Sequence, residues 1–219
     1  MVRIGLFITF LTALAGCSPA GMVPTDTGGS SDAVSSDAAA PNDTPSQGDT
    51  GSQVCTYPFP ATFENFGNAE GRPFRPFALP NCDGSGDFNF AGDGFCESRL
   101  TLIVFSAGWC GPCRAEAPMI ESLITQRYPR SDIRVVVIYG QNTDYSPPTF
   151  SECNAWRTSY RLTNTMVIDP TGMTQVYFPN MAYPANLIVD RNGIIQYRVY
   201  GASSGLTTLR NEIDRLLAL

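Results

Sequence analysis

Apolar positions in this chain fall into short bounded runs, and the runs differ in period. Leu100–Phe105 and Ile133–Tyr139 are β-branched apolar runs between turn signals, which predicts two buried strands. From Gly111 to about Tyr128, Ala115, Met119, Ile120, Leu123 and Ile124 recur at helical spacing. Pro147 to about Leu162 predicts a second helix, with Pro147 and Pro148 near its start, where a missing N–H is tolerated. Ala185–Val189 and Ile194–Tyr200 flank Asp190-Arg191-Asn192-Gly193, and Asn-Gly between apolar runs signals a hairpin. Leu206–Leu219 is amphipathic at helical period. Upstream, Phe77-Ala78-Leu79 predicts a short strand, Tyr57–Phe77 an irregular packed lead-in, and Asn81–Gly94 a turn-rich segment. The order strand, helix, strand, helix, hairpin, helix predicts an α/β domain with a central sheet and helices on both faces.

The N-terminal pattern is different. Arg3 precedes an apolar run from Ile4 to Ala15 and then small residues, the layout of a secretory signal. The run is short of the ~20 apolar residues of a membrane span. Leu14-Ala15-Gly16-Cys17 resembles a bacterial lipobox. That resemblance implies removal of residues 1–16, diacylation of the Cys17 sulfur and acylation of its new amino group. Several acyl chains anchor stably where one does not. The alternative is an ordinary cleaved signal with an incidental cysteine; Cys17 stands where the apolar run stops, which favours lipidation. Ser18 follows in place of an acidic residue, as in the pattern sent to the outer membrane of a cell with two membranes. Residues 17–54 read as the lipidated cysteine and a disordered acidic linker, with five aspartates and no aromatic or basic side chain. The folded domain is expected over 55–219.

Composition narrows the chemistry. The 219 residues contain no histidine and no lysine, and all 14 basic residues are arginine. Cys-His catalysis, histidine-ligated metals and Ser-His-Asp triads are excluded. A net charge of −6 argues against a nucleic-acid partner. Seven cysteines fit an oxidising compartment.

Two of them, Cys110 and Cys113, lie in FSAGWCGPCRAEAP, where the first predicted strand gives way to a helix. At a helix N-terminus the orphan N–H groups and the dipole favour negative charge, which lowers a cysteine pKa and supplies thiolate. Cys113, inside the first turn, is placed to resolve a mixed disulfide at Cys110. Pro112 restrains the bend and Gly111 lets a partner chain approach. Half of a zinc site is the rival reading, but no histidine and no second CxxC exist to complete it. A purely structural staple gains little from so short a loop. The pair itself is then the redox group, with no cofactor and no metal called for.

Trp109-Cys110-Gly111-Pro112-Cys113 is the motif of thioredoxins, and the chain resembles that family from about 75 to 219. The closer likeness is to membrane-anchored thiol–disulfide reductases of the TlpA/ResA type, carried by Cys113-Arg-Ala-Glu116-Ala-Pro118 and by Pro184-Ala-Asn-Leu-Ile-Val-Asp-Arg-Asn-Gly193. The resemblance implies a thioredoxin fold with a mixed sheet and, here, an N-terminal extension. It implies Cys110 as nucleophile, Cys113 as resolver, and a cis Pro184 after Tyr183 that faces the sulfurs and takes the partner's backbone as an added strand. Glu116 is either a proton relay to Cys113 or a solvated helix residue, and Trp109 packs beside the site. Two departures stand out: thioredoxins carry a buried acid where Val104 lies, and Tyr183 is bulkier than the usual residue before the proline.

Cys55, Cys82, Cys96 and Cys153 remain as structural disulfide candidates with three connectivities. Cys82 and Cys96 bracket a turn-rich segment, which makes a local bridge the first choice and leaves Cys55–Cys153. Asn81 to Asn89 alternates oxygen side chains like a calcium loop, but Gly94 stands where the bidentate glutamate belongs, so a hairpin turn is expected. The Phe residues from Phe59 to Phe77 are expected to pack the extension. The chain therefore reads as an exported, lipid-tethered enzyme exchanging disulfides with protein substrates. Gly-Pro between the cysteines favours a reductase supplied by a membrane electron donor, and the compartment favours an oxidant or isomerase. A non-enzymatic module that binds through the cis-proline groove is the rival class.

Overall fold

The computed structural model describes residues 66–177, 182–201 and 206–219. The expected signal, Cys17, the linker and Cys55 lie outside the described residues. Among the described residues the strands are β1 (Ala78–Pro80), β2 (Asp87–Asn89), β3 (Leu100–Ser106), β4 (Ile133–Tyr139), β5 (Thr165–Ile168), β6 (Ala185–Asp190) and β7 (Ile195–Tyr200). The α-helices are α1 (Gly111–Ile120), α2 (Phe150–Tyr160) and α3 (Leu206–Leu217).

β3 is the axis of a mixed five-stranded sheet ordered β5-β4-β3-β6-β7. It pairs parallel with β4 and antiparallel with β6, and all seven of its residues are buried. A strand covered on both faces needs no polar side, which is why Leu100–Phe105 reads as a continuous apolar run. The two-residue period survives in the packing. Leu100, Leu102 and Val104 enter one core with Ile120, Ile124, Trp156, Leu209 and Ile213, whereas Ile103 and Phe105 enter the other.

All three α-helices bury residues in the first of these cores. Parallel strands β3, β4 and β5 step in one direction, and right-handed crossovers through α1 and α2 land on one face. Among the described residues the opposite face carries short helical turns at Phe90–Gly94 and Met173–Tyr177, and the aromatic extension packs beside them. Phe74 stacks on Tyr177 at 4.4 Å and meets Phe77 and Phe95 edge-on at 5.7 Å. The expected coverage of both faces is thus met unequally, because the phenylalanine-rich lead-in does the work of a helical layer.

Several boundaries move. The helix expected over 111–128 is α1 followed by a π-helical turn, Glu121–Thr125, beyond Pro118, which has no N–H to donate within α1. α2 begins at Phe150 rather than Pro147, because Thr149 caps it by accepting from Glu152 N. β5 is unforeseen: Thr165-Met-Val-Ile168 is too short a run to stand out. The alternating-oxygen stretch is the turn of the β1–β2 hairpin, with Asn81 N donating to Gly86 O at 2.8 Å and Ser85 N to the Asp83 carboxylate at 2.9 Å.

The cysteine pairing needs correction. Cys82 bonds Cys153, with 5.6 Å between their Cα atoms, so neither the local Cys82–Cys96 bridge nor Cys55–Cys153 forms. Cys96 is disulfide-bonded as well. The fold carries the end of β1 onto α2, where Asn154 Nδ2 also donates to Cys82 O at 2.7 Å. A bridge of 71 residues' separation leaves no local trace in sequence.

Candidate active site

The chain leaves β3 at Ser106 and turns through Ala107-Gly108-Trp109 into α1. Cys110 is the N-cap residue, extended in backbone, and its sulfur accepts from Cys113 N at 3.1 Å. Gly111 and Pro112 open the helix, where a missing N–H breaks no helical bond. Cys110 and Cys113 are joined in a disulfide with Cα atoms 5.3 Å apart. Each is 2% exposed, while Gly111 and Pro112 between them are exposed. The sulfurs therefore lie behind a bare Gly-Pro edge, and a partner has to press close to reach them.

Aromatic side chains form the rim. Trp109 Nε1 donates to Gln141 Oε1 at 2.9 Å, its ring stacks on Tyr145 at 5.0 Å, and Tyr183 meets it edge-on at 5.5 Å. Tyr145 is 65% exposed and holds a left-handed backbone, φ 68°, which is uncommon for a residue with a bulky side chain. Asn142 fixes its loop: its amide donates to Ser146 Oγ and Pro147 O, and its side-chain oxygen accepts from Thr149 N. Gly108 seats this loop, since a Cβ there would lie against Tyr139 Oη and 2.8 Å from Thr143 N. Burial pushes the Tyr183 hydroxyl up to about 12, with Asp169 adding to the rise, so it stays protonated at neutral pH.

The peptide between Tyr183 and Pro184 is cis, as the family resemblance implies. Pro184, Val104, Cys113 and Glu116 line one cavity behind the disulfide. Glu116 is half-buried, and Asn186 Nδ2 donates to its Oε1 at 2.6 Å. Burial holds its carboxyl above the ordinary value, and the Asn186 hydrogen bond offsets part of that rise. The structure thus brings together Cys110, Cys113, Trp109, Tyr183, Pro184 and Glu116. Sequence reasoning passed over Tyr145, Gln141 and Asn186. Asn186 left a signal, an amide inside the otherwise apolar Ala185–Val189 run; Tyr145 left none.

A cysteine pair at the mouth of a β–α turn, with a cis-proline immediately before the neighbouring antiparallel strand, defines a thioredoxin-like protein. A profile of the Redoxin family matches residues 69–216, and the chain belongs to that family. It is 32% identical over 100 residues to Thioredoxin-like protein YneN of Bacillus subtilis (strain 168), covering 46% of this chain and 55% of that protein. Against Thiol:disulfide interchange protein DsbE of Escherichia coli (strain K12) it is 30% identical over 132 residues, covering 60% of this chain and 65% of that one. The matches span about half to two thirds of these curated relatives. Among solved structures, a putative thiol:disulfide interchange protein DsbE from Chlorobium tepidum shares the fold with a TM-score of 0.57 at 22% identity, over 68% of this chain and 98% of the other.

Proposed function

We propose that this chain is a lipid-anchored, extracytoplasmic thiol–disulfide oxidoreductase of the TlpA/ResA type that reduces disulfides in other proteins. The observation that carries the reading is the Cys110–Cys113 pair at the N-terminus of α1, opposite cis-Pro184. In the reduced state the helix N-terminus favours the Cys110 thiolate. That thiolate attacks a substrate disulfide, forming the Cys110–substrate bond and releasing one substrate sulfur as thiolate, which takes up a proton. Cys113 then gives its proton to Glu116 and attacks the Cys110 sulfur. The Cys110–Cys113 bond forms, the second substrate sulfur leaves, and the substrate is reduced by two electrons. A dithiol donor at the membrane returns the pair to the reduced state. The substrate segment lies extended beside Pro184, its side chains against the Trp109–Tyr145–Tyr183 rim.

Gly-Pro between the cysteines supports the reducing direction, and the names of the relatives support thiol–disulfide exchange. The export signal, the lipobox at Cys17 and the Cys82–Cys153 bridge support a location where disulfides persist. Insulin reduction with dithiothreitol as donor tests the reading. The parent protein is expected to accelerate it, and Cys110→Ser to abolish the acceleration. An inactive parent would favour a module that binds through the cis-proline groove without turnover.

A further inference from the structure

The two ends of β3 differ. At one, Ser106 leads into the turn that carries Cys110; at the other, Leu100 pairs with Asp190 of β6. This second end opens a cleft of about 390 Å³ lined by Leu100, by Leu216 and Leu219, and by Arg99 and Arg191. Leu100 and Leu216 are buried, whereas Leu219 is 87% exposed. The cleft holds one carboxylate, Asp190, and it is already engaged. Its Oδ1 accepts from Asn192 N at 2.8 Å and Ile194 N at 3.0 Å, and its Oδ2 from Gln196 Nε2 at 2.8 Å. Arg99 and Arg191 are exposed, and among the described residues neither guanidinium has a hydrogen-bond or ion-pair partner. Elsewhere arginines are paired: Arg130 and Arg134 share Glu97, and Arg215 meets Glu212. One solvated arginine is ordinary. Two unpaired guanidiniums beside apolar side chains form a site for an anion with a hydrocarbon body, because the fork takes oxyanions and the stems and leucines cover carbon.

We propose that this cleft docks the headgroup of an anionic phospholipid in the membrane that holds the chain. The proposal rests on the lipid-anchored reading above. Arg99 and Arg191 take the phosphate oxygens, and the glycerol and first acyl carbons lie on Leu216 and Leu219. Free phosphate would leave those leucines uncovered, which is why the lipid is the better fit. The acyl anchor keeps headgroups at high effective concentration, so a weak site suffices. Each arginine near an anionic surface strengthens binding about fivefold. Tether length leaves the orientation open: residues 18–65 reach on the order of 160 Å at full extension, against about 23 Å along the seven residues of β3. The cleft then sets it. Docking this end turns Cys110 and Cys113 away from the bilayer toward protein substrates, and release on the tether returns the pair to a donor in the membrane.

Methyl NMR of the lipidated full chain on nanodiscs carrying a gadolinium-chelating headgroup tests the site. The discs are pure phosphatidylcholine or an equimolar mixture with phosphatidylglycerol. On the mixed discs, paramagnetic relaxation should be strong at Leu216 and Leu219 and weak at Met173, which follows β5 at the redox end of the sheet and is 40% exposed. On phosphatidylcholine the contrast should fade. Arg99→Gln should lower the ratio of docked to undocked chain about fivefold, and Arg99→Gln/Arg191→Gln about 25-fold. Both changes sit on exposed side chains, so folding is not at risk. Equal relaxation at Leu216 and Met173, the same contrast on both discs, or an unmoved ratio in the double variant overturns the proposal. Loss of the contrast when inorganic phosphate is added at constant ionic strength also overturns it, by assigning the cleft to free phosphate. Mass spectrometry of Cys17 is read separately. A parent chain without acyl groups removes the anchored reading, and the same relaxation contrast in that chain then decides the cleft alone.

Discussion

Cutting the Cys82–Cys153 bridge isolates a stability term from the redox chemistry. The bond joins residues 71 apart. In the chain-entropy relation a loop of that length removes about 15 cal/mol/K from the unfolded ensemble, or about 4.4 kcal/mol at 25 °C. A local Cys82–Cys96 bridge would give about 3 kcal/mol by the same relation. For a domain of this size each kcal/mol moves Tm by about 2–4 °C, so the double variant Cys82→Ala/Cys153→Ala should melt roughly 9–18 °C below the parent. Differential scanning calorimetry under non-reducing conditions reads this directly, and insulin reduction at 25 °C should persist in the folded variant. Non-reduced peptide mapping should return a Cys82–Cys153 fragment. A Tm loss under about 2 °C would refute the long-loop argument, and a Cys82–Cys96 fragment would refute the pairing itself.

Three further expectations concern the site. Burial holds the Glu116 carboxyl above its ordinary 4.5, so the folded state binds this proton more tightly than the unfolded state. Its contribution to stability is most favourable below 4.5 and is lost as pH rises through the folded value. Glu116→Gln should therefore melt higher than the parent above that window, converge with it in acid, and resolve mixed disulfides more slowly; identical melting at neutral pH would count against the buried carboxyl. Gly108→Ala should displace the loop seated on it and break the Trp109–Tyr145 stack, seen as altered Trp109 fluorescence and a stability loss of about 1–3 kcal/mol, the usual overpacking range. Tyr145→Ala should raise KM for insulin several-fold and leave the rate with a small-molecule disulfide unchanged; equal effects on both would remove Tyr145 from the partner-facing rim.

Legibility followed the range of the interactions. Strands β3 and β4, the β6–β7 hairpin and the start of α1 were readable because each rests on a local signal: a β-branched run, an Asn-Gly turn, a proline in a first helical turn. Cys110, Cys113 and Pro184 came through short motifs for the same reason. The one-sided placement of the α-helices follows from strand order, which no local window contains. The Cys82 partner and the Asn186–Glu116 hydrogen bond join residues 71 and 70 apart, and only the assembled sheet brings them together. Val104 read as a departure from the thioredoxin pattern; the structure places the polar Asn186 beside it on β6, hydrogen-bonded to Glu116. Tyr145 depends on a loop conformation set by Asn142 and by the absence of a Cβ at Gly108, and neither announces itself in the sequence.

The reducing direction of the Cys110–Cys113 pair is the central claim, and its redox equilibrium tests it most directly. Mass-spectrometric titration of the pair against defined dithiothreitol and glutathione buffers, on the full chain with Cys82–Cys153 intact, yields its potential. The account predicts a value near that of thioredoxin, about −270 mV. A value near −120 mV, that of a strong disulfide oxidant, would contradict it.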